Sequence, residues 1–103
     1  MRDLEEFEAS TGGDAPPAGL TRPLAALWHA ARGEWDRAHE IAQEDEGNPD
    51  HDWVHAHLHR VEGDLGNARY WYRRAGRPAV VGGEGLEAER RAIVGELLGR
   101  TGG

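Results

Sequence analysis

The chain has 103 residues, a formal charge of −7 and no cysteine. That describes one small domain and excludes disulfide frameworks, thiol nucleophiles and thiolate zinc sites. An acidic domain is a poor general nucleic-acid binder, because neutralising phosphates takes a positive field.

All 12 basic residues are arginine, which together with heavy Ala and Gly usage suggests a bacterial source with a GC-rich genome. No secretory signal is visible near the start, and no apolar run is long enough to span a bilayer. The expectation is therefore a soluble, cytoplasmic protein with no membrane and no nucleic-acid partner.

Residues 1–20, "MRDLEEFEASTGGDAPPAGL", are acidic, carry Gly-Gly and Pro-Pro and show little helical period. They read as an acidic mobile leader in which Leu4 and Phe7 can dock as a short turn. From Thr21 the pattern changes. Thr21 is placed to cap a helix with Pro23 in its first turn. Leu24, Leu27, Trp28 and Ala31 follow at helical spacing, and Gly33 ends the segment. A short helix then starts at Asp36, with Ala38, Ile41 and Ala42 inward, and Gly47, Asn48 and Pro49 break it.

A third helix is predicted over Asp50–Glu62, with Val54, Leu58, Val61 and the following Leu65 in one buried sector. Gly63 ends it. A fourth begins near Gly66, with Ala68, Trp71, Tyr72 and Ala75 on its inner face. "GRPAVVGGEG" reads as a loop, and a last helix spans roughly Glu84 to Leu98 with Leu86, Ile93, Val94 and Leu97 inward. The expected organisation is an all-α domain over 21–103, built from two stacked antiparallel helix hairpins (22–46 and 50–77) and a C-terminal capping helix (84–99).

The two hairpins overlay at an offset of 30 residues. Leu24 falls on Val54, Ala26 on Ala56, Trp28 on Leu58, Gly33 on Gly63, Ala38 on Ala68, Ile41 on Trp71 and His29 on His59. A fixed period of this size is the signature of stacked helix pairs. "GDLGNARYWYRRA", with Gly63, Asp64, Leu65, Ala68, Trp71, Tyr72 and Ala75, resembles the second half of a tetratricopeptide or Sel-like repeat. The first copy matches through Gly33, Glu34, Trp35, Ala38 and Ile41. The chain departs from the family where a leucine and an aromatic usually stand: Ala25 and His29 occupy those places in one copy, His55 and His59 in the other. The resemblance covers about residues 22–78 and implies a concave groove that receives an extended peptide, lined here by Leu27, Trp53, His57 and Arg60.

Two further clusters carry chemistry. Arg69, Arg73 and Arg77 recur four apart with Tyr70 and Arg74 nearby, so Tyr70 and Arg73 join the candidate binding residues for an acidic peptide or phosphate group. His51, His55 and His59 also recur four apart, with Glu62 between them in angle. Imidazoles so spaced can ligate zinc, copper or nickel, but three consecutive turns do not easily reach one ion, so no metal is expected and His51, His55, His59 and Glu62 stand as the alternative.

Catalytic chemistry is scarce. There is no Lys, the only Ser is Ser10, and "VVGGEG" lacks the features of a phosphate loop. No catalytic residue and no cofactor are expected. The first expectation is a protein- or peptide-binding adaptor, with self-association following from its small core. The second is a histidine-lined small-ligand or metal-dependent site, hydrolytic in one version, using His29, His55, His59 and Glu62.

Overall fold

The computed structural model describes residues 3–80 and 85–101. They form six α-helices: α1 (Leu4–Ser10), α2 (Arg22–Ala31), α3 (Trp35–Ala42), α4 (Pro49–Glu62), α5 (Leu65–Ala75) and α6 (Leu86–Thr101), with a single 3₁₀ turn, Gln43–Asp45, after α3. The fold is all-α. Residues 76–80 are irregular, as read from sequence, but 81–84 lie outside the described residues, and with them the expected helix start at Glu84.

Local chemistry sets the ends of these helices. Asn48 caps α4 by accepting from the Asp50 and His51 amides, and Pro49 follows at the first helical position, where its missing N–H costs nothing. Asp64 accepts from the Asn67 amide at the start of α5. Thr21 stands at the N-cap of α2, but its hydroxyl makes no capping bond. Gly33 and Gly63 turn the two hairpins with φ of +77° and +87°, where only glycine is unstrained. The same pair of bonds closes both turns: Gly33 to Ala30 and Glu34 to His29, then Gly63 to Arg60 and Asp64 to His59.

α2 packs on α3, and α5 on α4, as two hairpins. α4 is the central rod, touching α2, α3, α5 and α6. Every residue from His51 to Arg60 is consequently buried. The predicted buried sector holds at Val54 and Leu58 but ends there. Val61 is 44% exposed and borders an open cleft. Ile93, Val94 and Leu97 of α6 are buried as expected, joined by Leu98.

The first twenty residues carry more structure than a mobile leader whose Leu4 and Phe7 dock as a short turn. Asp3 accepts from the Glu6 amide and starts α1, which packs on α6. Phe7 is fully buried in the core. Glu8 pairs with Arg90 at 2.7 Å, Arg32 donates to the Thr11 and Gly13 carbonyls, and the Trp28 indole donates to Ser10 Oγ. One fully buried phenylalanine contributes about 1.5–3 kcal/mol, enough to hold a short acidic helix in place. No helix among the described residues is long and apolar enough to cross a membrane.

Candidate metal centre

Histidines 55, 57 and 59 alternate along α4, and at 100° per residue His57 projects nearly opposite the other two. The helix therefore has two polar flanks. On the flank facing α6, Glu89 accepts from His57 Nδ1 at 2.7 Å and from Arg60 at 2.8 Å, and Tyr72 donates its hydroxyl to the same carboxylate. Burial works against the Glu89 charge, but the His57, Tyr72 and Arg60 hydrogen bonds outweigh it and hold this carboxyl below its usual range. Burial and the neighbouring Glu89 push the Tyr72 hydroxyl well above its ordinary pKa.

This arrangement corrects the expected groove. Leu27, Trp53, His57 and Arg60 are buried, not displayed. α6 lies over His57 and Arg60, and the Arg77 guanidinium stacks 3.7 Å above the Trp53 ring. An open cleft of about 400 Å³ remains beside them, bordered by Trp35, Val61, Leu86 and Arg90. Tyr70 and Arg73 are exposed on the outer side of α5, where Tyr70 accepts from Arg74 at 2.9 Å. Arg77 instead pairs with Glu96 of α6, so the arginine row does not converge on one point. The acidic segment docks on α2 and α6.

On the other flank α4 presents His55 and His59, one turn apart, to α3 and α5. α3 contributes His39. A ring nitrogen from each of the three lies within 4.8 Å of one from each of the others. His39 Nε2 and His55 Nε2 are 3.1 Å apart. Two tryptophans clamp the rings: His39 stacks on Trp35 at 4.6 Å and 13°, and His55 on Trp71 at 4.0 Å and 18°. The Trp35 indole is itself anchored, donating to the Leu58 carbonyl at 2.7 Å. His59 Nδ1 donates to Glu62 Oε1 at 2.6 Å, which leaves its Nε2 lone pair available.

The electrostatics favour the neutral form of two of these imidazoles, His55 and His39. Burial, then the neighbouring His59 and His39, push His55 down to about 3. Burial and His59 also lower His39. Neutral rings are the form that binds a metal. Nitrogens bound tetrahedrally at about 2.0–2.1 Å from zinc stand roughly 3.3 Å apart. The His39–His55 pair is already at that spacing, and Glu62 behind His59 is the carboxylate–histidine arrangement that orients metal ligands.

Of the residues first considered as ligands, His55 and His59 belong to this cluster and Glu62 stands behind it. His51 does not join; its Nδ1 donates to the Ala42 carbonyl at 3.3 Å. His29 donates to Glu34, away from the cluster. His39 was not singled out in the sequence. Its one local signal is the Trp35–His39 spacing of four on α3, which stacks the rings but does not show which helix they face. Compared with models of protein families, curated proteins and solved structures, the chain matches none of them.

Proposed function

We propose that this protein is a helical transition-metal-binding protein whose ligands are the Nε2 atoms of His39, His55 and His59. The observation that carries this reading is the convergence of three imidazoles from two helices, held by tryptophan stacking. With nitrogen ligands and no thiolate, zinc, copper and nickel are the ions of suitable chemistry. Three protein ligands leave a fourth position for water or another donor, the pattern of sites that do chemistry rather than only brace a fold. The peptide-binding adaptor ranks second, since α6 already covers the surface it needs.

The test is titration of the metal-stripped full chain with Zn²⁺ and, for its visible spectrum, Co²⁺. One equivalent should bind at micromolar or lower concentration with a tetrahedral Co²⁺ spectrum. Binding should be lost in the His39→Ala, His59→Ala double variant and kept in His51→Ala. No binding of zinc, copper, nickel or cobalt at micromolar metal overturns the reading.

A further inference from the structure

Among the described residues, two buried side-chain polar atoms have no hydrogen-bond partner: Asp52 Oδ2 and His55 Nδ1. Both residues belong to α4; Asp52 is 0% and His55 2% exposed. A buried polar group without a partner is costly, because it has given up its water and gained nothing in return. Two such groups on one helix at a spacing of three are neighbours on its surface, roughly 5–6 Å apart at Cβ.

Their surroundings put them on the same side. Asp52 Oδ1 accepts from the Gly47 amide at 3.2 Å. A Cβ on Gly47 would meet the Arg74 guanidinium at 3.8 Å, and Arg74 lies 5.3 Å over the Trp71 ring on which His55 stacks. Asp52 and His55 therefore both face the Trp71–Arg74 turn of α5. The other nitrogen of His55 points at His39.

We propose that one buried water bridges Asp52 Oδ2 and His55 Nδ1, making Asp52 the positioning residue that fixes His55 as the Nδ1–H tautomer. The water accepts from Nδ1–H and donates to Oδ2, which satisfies both atoms with a molecule of the kind that buried polar pairs commonly hold. His55 Nε2 then carries a lone pair, so His39 supplies the proton of the 3.1 Å contact as an Nε2–H donor. A cation entering the cluster takes the place of that proton. His39 passes its Nε2 proton to solvent and takes one up at Nδ1, so the ring stays neutral and the proton count is unchanged. His55 needs no rearrangement at all. The last step rests on the metal reading above; the tautomer does not.

Side-chain ¹⁵N NMR of the metal-free full chain tests the assignment. The expected result is His55 protonated at Nδ1 and bare at Nε2, with a water cross-peak at Nδ1–H. In Asp52→Ala the Nε2–H form should gain at least several-fold, whereas Asp52→Asn, which keeps an acceptor for the water, should retain the wild-type pattern. In the same variants, Zn²⁺ affinity should fall about 10–100-fold for Asp52→Ala, the range seen when a partner behind a ligand is lost, and be largely restored in Asp52→Asn. A wild-type His55 that is mainly Nε2–H, or a tautomer unmoved by Asp52→Ala, overturns the proposal. If Asp52→Ala does not fold, the wild-type tautomer and Asp52→Asn still decide. If the tautomer behaves as expected but no metal binds, the metal reading falls and the role of Asp52 stands.

Discussion

The two polar flanks of α4 are built from the same residue type and solved differently. Towards α6, each buried group meets its complement: His57, Arg60 and Tyr72 share the Glu89 carboxylate. Towards α3 and α5, imidazole meets imidazole: His39, His55 and His59 crowd together between two indoles, and one ring nitrogen has no protein partner among the described residues. The first arrangement is what a fold needs to bury charge. The second is poorly suited to holding a fold together and well suited to holding a cation. Residue type alone does not separate a structural histidine from a candidate ligand; the partner across the interface does.

Removing Glu89 is the most damaging way to break this contrast. Glu89→Ala removes the carboxylate that pairs with the buried Arg60 guanidinium, and breaking a buried pair in this way costs about 3–5 kcal/mol. Urea denaturation should show that loss, while zinc titration of the remaining folded protein should find the His39–His55–His59 site intact. The opposite flank should give the opposite pattern. Zinc at 100 times its dissociation constant should add about 2.7 kcal/mol to wild-type stability, and chelation should remove it. The His39→Ala, His59→Ala variant should lose that increment.

Acid sharpens the comparison on a smaller scale. Because the folded Glu89 carboxyl lies below its ordinary value of 4.5, its contribution is complete above that pH and is lost as pH falls through the folded value. Denaturation midpoints of wild type should therefore drop below pH 4.5 more steeply than those of Glu89→Gln; equal slopes would show that Glu89 does not act as a charged strut. The smallest effect belongs to the surface. Arg22 and Glu44 form a two-pronged pair, but both are about half exposed. Arg22→Ala should change stability by less than about 1 kcal/mol, and a larger loss in urea would mean that this pair does more than an exposed ion pair usually does.

Much of the helical framework was legible residue by residue. The apolar spacing of Leu24–Trp28 and Ala38–Ala42, the Asn48–Pro49 start and the turn glycines 33 and 63 all act over one or two turns. The acidic opening was misread for a definite reason. Charge density marks a solvated segment on average, yet one phenylalanine with a complementary pocket is enough to dock seven residues. At the candidate site, His55, His59 and Glu62 were visible through their spacing on α4. His39 was not, because its relation to them crosses from one helix to another.

The placement of the helices along the chain was a matter of local periodicity, and such patterns are written in the order of residues. Which side of α4 meets α6 and which meets α3 was not, because α4 is buried on every side from His51 to Arg60 and its polar residues there show no solvent face from which to orient it. That choice came from long-range packing, which moved the expected groove residues into the interior and drew His39 in beside His55 and His59. Burial among several neighbours depends on the sum of all their surfaces, and no single stretch of chain carries that sum.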